Sequence, residues 1–167
     1  MASAQPYFLA LAAISTTFVG FSALIMLFRQ ALGGGVTRLD SWITLVFVQL
    51  GFLVTAGSLA PPLFGLLRLP EALTWRGCSL GAAVAIGLFA TTYPRRRSAV
   101  SGVRTPIYAW ADLTLLLLCA AELAANAAGW PWPPSAGAFA LGLTGVFLVA
   151  TLGYLHALGA LHRDAPR

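Results

Sequence analysis

The sequence predicts an all-α integral membrane protein with five transmembrane helices, and three observations carry that prediction. Of its 167 residues 59% are hydrophobic and only 9% are charged, whereas a water-soluble domain carries charge on about a quarter of its residues. The charges that do occur gather at the ends of long apolar stretches. Glycine and proline clusters fall between those stretches, where helices are expected to stop.

A membrane-crossing helix needs about 20 mostly apolar residues, and five segments meet that need. The first, 7–28, precedes Arg29 and the run Gly33-Gly34-Gly35. No basic residue precedes it, so it is expected to remain as an anchor rather than be cleaved as a signal peptide. The second, 42–60, follows Asp40 and is expected to turn at Pro61-Pro62. The third, 74–93, carries Arg76 in its first turn and is expected to stop at Pro94. The fourth, 107–129, ends at a Trp130-Pro131-Trp132-Pro133-Pro134 loop, and the fifth, 136–161, runs to the C-terminal arginines. No connection is long enough for a soluble domain, so residues 1–167 read as one membrane domain.

Orientation follows from the arginines. Arg29, Arg38, Arg95, Arg96, Arg97, Arg104, Arg163 and Arg167 all fall on one side of a five-span bundle, against Arg68 and Arg76 on the other. The positive-inside rule then gives an N-out, C-in chain. Trp130 and Trp132 would mark the outer interface, and Trp42, Tyr93, Tyr108 and Trp110 the inner one. A basic excess of this kind serves topology and lipid contact rather than nucleic-acid binding. With ten arginines and no lysine, the chain cannot form a retinal or pyridoxal Schiff base. The absence of lysine also fits a GC-rich bacterial genome, and hence a bacterial cytoplasmic membrane.

A gapless shift of 72 residues aligns 40–87 with 112–159, matching Asp40 with Asp112, Pro61-Pro62 with Pro133-Pro134, and Gly57, Gly65, Gly81 and Gly87 with Gly129, Gly137, Gly153 and Gly159. If this is a duplication, two parallel hairpins form a four-helix bundle with the first span at its flank. Shared turn prolines and small residues explain the same matches without one. The register places Asp112, like Asp40, at a helix start, where the positive end of the helix dipole favours a carboxylate.

In the fourth span Asp112, Cys119, Glu122 and Asn126 recur at spacings of seven, three and four, which puts them on one stripe. Glu122 lies ten residues beyond Asp112, about 15 Å along a helix, near mid-membrane. A carboxylate there is a functional candidate by default. Arg76 is its nearest expected charge partner, and Asn126 is expected to hydrogen-bond it. Two readings compete: a Glu122–Arg76 pair that fixes packing, or a protonatable carboxyl lining a passage. Gln49 and the cluster Ser15-Thr16-Thr17 also fall at middle depths, where hydroxyls usually bond back to their own helix.

On the fifth span Gly142, Gly145, Val149, His156 and Gly159 form a stripe of mostly small residues that permits close helix approach, and Gly77 with Gly81 makes a similar pair on the third. His156 is expected to hydrogen-bond Asp112; a ligand role towards a pigment or haem is the lesser alternative. Cys78 and Cys119 sit at different depths, which argues against a disulfide.

The chain has no HExxH, CxxC or GxSxG motif and no phosphate-binding loop. Its two histidines, His156 and His162, do not face each other across a bundle as bis-histidine haem requires. No metal site or identifiable cofactor is read from the sequence, and an enzyme is the least favoured class. The leading expectation is a non-enzymatic accessory subunit of a membrane assembly, packing on other subunits or on itself through glycine faces within the lipid bilayer. A small proton-coupled transporter or oligomeric channel built on Glu122 is the alternative, and a pigment or haem carrier using His156 the second.

Overall fold

The computed structural model describes residues 4–31, 37–102 and 105–163. These form five helices, α1 (Gln5–Ala31), α2 (Arg38–Leu66), α3 (Glu71–Ser101), α4 (Ile107–Ala128) and α5 (Ala136–Arg163), with no strand among the described residues. Each is long and apolar enough to cross a membrane. Gly33-Gly34-Gly35, Arg104 and Arg167, and the side chains of Arg29, His162 and Arg163, lie outside the described residues.

Local signals explain three of the helix ends. At the start of α2, Thr37 Oγ1 accepts from the Asp40 N–H at 3.1 Å, while Asp40 Oδ2 accepts from the Thr37 N–H at 3.0 Å. This reciprocal capping box satisfies two otherwise orphaned donors. Gly102 and Gly129 end α3 and α4 with φ of 64° and 76°, left-handed conformations that cost glycine little.

Two expected stops are overturned, both at proline. α2 runs through Pro61 and Pro62 to Leu66, and α3 through Pro94 to Ser101. A helical proline removes one N–H donor and crowds the carbonyl four residues back, but packing against neighbouring elements can hold such a helix together. Pro61 is buried, and beyond Pro94 the side chain of Arg97 is buried as well. The basic cluster therefore rides on a helix rather than in a loop.

The helices run up and down, and α2, α3, α4 and α5 close into a ring because each packs on the next and α2 returns to α5. α1 lies outside this ring against α2 and also touches α5. It is tied in by Phe8, whose ring centroid lies 5.8 Å from that of Trp75 and 5.6 Å from that of Phe139. Val54, Ile86, Leu123, Leu143 and Val146 are completely buried at the centre. Large apolar side chains such as Phe21, Phe52, Leu88, Leu118 and Leu148 face outwards, as a hydrocarbon surround requires. One end of the bundle carries the α2–α3 and α4–α5 connections and is called here the Trp/Pro end; the other is the arginine end.

The aligned halves differ in detail. Asp40 belongs to the cap of α2, whereas α4 starts at Ile107 behind Pro106, so Asp112 lies beyond the first turn and is not a cap. Pro61-Pro62 are helical while Pro133-Pro134 are not.

Candidate functional site

The polar stripe of α4 meets three different environments. Nearest the Trp/Pro end, buried Asn126 donates through Nδ2 to Ser79 Oγ at 2.8 Å and to the Ser135 carbonyl at 3.2 Å, and its Oδ1 accepts from the Ser135 N–H at 2.9 Å. One amide thus joins α3, α4 and the entry to α5. The expected bond from Asn126 to Glu122 is replaced by these, because Ser135 offers both a donor and an acceptor to the same amide.

One turn further along, Glu122 packs against Gly142 of α5. A Cβ at position 142 would collide with Glu122 Oε2 and come within 2.7 Å of Leu123 Cγ, so only glycine lets the two helices approach this closely. Glu122 Oε2 is buried and has no hydrogen-bond partner. The expected pair with Arg76 is not formed. The Arg76 side chain is exposed, with Nη2 lying 3.7 Å from where a Gly129 Cβ would stand, about two turns of α4 beyond the carboxylate. Snorkelling towards the bundle end costs a guanidinium less than reaching inwards. Glu122 also lines a cleft of about 380 Å³ that opens among Asn126, Trp130, Trp132 and Leu141.

Towards the arginine end, His156 Nδ1 lies 3.5 Å from Asp112 Oδ2, with side-chain exposures of 46% and 16%. The expected contact is therefore present, and Tyr108 flanks the imidazole with ring centroids 5.6 Å apart. Asp112 holds one imidazole nitrogen, which leaves Nε2 as the only position for any ligand role of His156. A methyl at Gly153 would stand 3.3 Å from Asp112 Oδ2.

The sequence reading passed over a residue in this region. Arg97, counted there only as a topology signal, is buried, donates from Nη1 to the Tyr93 hydroxyl at 3.2 Å, and has no partner for Nε. It lines, with Tyr93, Tyr108, Asp112, Leu116 and Val149, a cavity of about 50 Å³. The signal that could have found it is the i, i+4 spacing of Tyr93 and Arg97, which counts only if Pro94 does not end the helix. Gln49 is not solitary, since its Oε1 accepts from Arg96 Nη2 at 3.4 Å.

Between the Glu122 cleft and the Arg97 cavity lie Ala120, Leu123, Leu143 and Val146, all buried. The glycine stripes divide in the same way. Gly142 and Gly145 are consumed inside the bundle, the latter 2.7 Å from Cys119 Sγ if given a Cβ, whereas Gly81 and Gly159 meet nothing within 4 Å. Gly77, with only Phe64 at 3.7 Å, is nearly as open. Thr16 and Thr17 bond back to carbonyls of α1, as expected, and Ser15 does so while also reaching Thr55 at 2.7 Å. Among the described residues no group of three or more His, Cys, Asp or Glu converges to hold a metal. No protein-family model, curated protein or solved structure matches the chain.

Proposed function

We propose that the protein is a small proton-coupled transporter or channel of the bacterial cytoplasmic membrane, with Glu122 as its protonation site. One observation carries this reading: Glu122 Oε2 is buried without a partner beside a cleft that reaches the Trp/Pro end. A carboxyl group that fixed packing would be bonded to Arg76 or Asn126, but Asn126 is bonded to Ser79 and Ser135, and the exposed Arg76 side chain lies about two turns of α4 away. A buried carboxylate with no partner is costly while charged and far less so once protonated. The cleft gives a proton a route to this group from the Trp/Pro end. The packed layer at Leu143 and Val146 then serves as the barrier that a transport cycle must open.

The test is proton flux into proteoliposomes under an imposed membrane potential, read with an entrapped pH dye. Wild type should conduct, and Glu122→Gln should remain folded but inactive. Equal flux in the two proteins would sink the proposal, and a wild type no more permeable than empty vesicles would exclude the channel form.

A second reading, that of an accessory subunit, is favoured by a different feature. The surface of α2 and α3 carries a groove of about 280 Å³ among Ala56, Ala60, Gly77, Gly81 and Ala85. Small residues of this kind admit a transmembrane helix of another chain. Extraction of the native membrane in mild detergent should then retain a defined partner, and Gly81→Leu should release it. Recovery of a lone monomer would count against this reading.

A further inference from the structure

We propose that the cavity at the arginine end binds the headgroup of an aminophospholipid, with Arg97 taking the phosphate and Asp112 the ammonium group. Arg97 is only 7% exposed, yet its one recorded partner is the neutral Tyr93 hydroxyl and its Nε has none. A buried guanidinium needs an anion, and its planar fork suits the oxygens of a phosphate. Asp112 lines the same cavity, and its recorded partner is His156 through Oδ2. A carboxylate has a second oxygen, Oδ1, that can accept from a cation in the cavity.

The two charges restrict what can enter. A simple oxyanion drawn to Arg97 meets the carboxylate of Asp112, and a simple cation drawn to Asp112 meets the guanidinium. A group carrying both signs satisfies both residues. Tyr93, Tyr108, Phe47 and Phe89 also line the cavity, and aromatic faces attract an ammonium ion. Trp42 packs on Tyr93 at this level, with ring centroids 5.0 Å apart, the kind of aromatic belt that marks headgroup depth.

Size decides how much of the lipid enters. The cavity of about 50 Å³ exceeds the roughly 10–15 Å³ needed for one water, but it cannot contain glycerol and acyl chains. Only the charged tip of the headgroup is taken in, and the chains remain along the outer helix surface. The site shares no residue with the Glu122 cleft, so the proton-flux experiment and this one succeed or fail separately.

The experiment is native mass spectrometry of the full chain released from micelles containing equal phosphatidylethanolamine and phosphatidylglycerol, with inorganic phosphate alone as a separate arm read by thermal stability. Wild type should retain phosphatidylethanolamine several-fold over phosphatidylglycerol. Arg97→Gln should lose lipid retention, and Asp112→Asn should shift the preference towards phosphatidylglycerol, an effect that a merely structural role would not produce. His156→Ala, which leaves both charges in place, should keep the wild-type preference. If Arg97→Gln does not fold, the selectivity shift in Asp112→Asn decides the matter. Equal retention of the two lipids by wild type, unchanged in Asp112→Asn, overturns the proposal. Stabilisation by inorganic phosphate without lipid preference keeps an oxyanion at Arg97 but overturns its assignment to a lipid.

Discussion

Asn126 and Glu122 stand one turn apart on α4, and the surrounding polar groups are shared very unequally between them. Asn126 makes three hydrogen bonds to Ser79 and Ser135, while Glu122 Oε2 makes none. Removing the first should therefore hurt folding and neutralising the second should not. Asn126→Ala is expected to lower stability by about 1–3 kcal/mol, since it removes three hydrogen bonds and orphans the buried Ser79 hydroxyl. Glu122→Gln should leave the thermal midpoint in detergent unchanged or slightly raised. A larger loss for Glu122→Gln than for Asn126→Ala would show that the carboxylate has a structural partner. The stripe of α4 was legible from spacing alone, and so was the Asp112–His156 contact. The partners of Asn126 and the exposed position of Arg76 were not, because depth along a helix does not reveal which way a neighbouring side chain turns. Arg97 was hidden for a more specific reason: Pro94 looked like a stop, and an arginine beyond a stop reads as a loop charge.

At the scale of the element, the number and order of the helices could be read from hydropathy, but the lengths of α2 and α3 could not, because the stops expected at Pro61, Pro62 and Pro94 are passed. Proline carries a local penalty that packing of the neighbouring turns outweighs here, and packing is a property of the folded bundle. The glycines teach the same lesson, since Gly81 and Gly142 look alike in sequence and differ in what surrounds them. Gly142→Ala drives a methyl into Glu122 and Leu123, whereas Gly81→Ala meets nothing within 4 Å. The first should lose about 1–3 kcal/mol through overpacking of the α4–α5 contact, and the second should be neutral or gain slightly from better helix propensity. Thermal melts of the two variants in one detergent check this. A further substitution, Glu122→Ala, should restore part of the Gly142→Ala loss, because the carboxylate is one of the two groups struck. Strict additivity of the pair would show that the helices move apart instead.

For the whole molecule, the arrangement of two polar recesses at opposite ends of one apolar core makes orientation the property on which both proposals depend. Arg38, Arg95, Arg96 and Arg97 lie at one end of the described bundle and Arg68 and Arg76 at the other. Placing Arg95 and Arg96 on a helical extension does not weaken the bias, since basic residues count when they lie within about 15–20 residues of a span end. The arginine end is therefore expected to face the cytoplasm, with the Glu122 cleft opening outwards. Cys78 and Cys119 are the only native cysteines, so a cysteine-free chain can carry single reporters at two exposed positions, Trp132→Cys and Ser98→Cys. In intact cells a membrane-impermeant maleimide should label the first and reach the second only after permeabilisation. The reverse pattern would turn the Arg97 cavity to the outer leaflet and make Glu122 draw protons from the cytoplasm. Proton entry through the cleft would then run against the usual inward gradient, so the labelling result fixes the direction in which any flux through Glu122 must be sought.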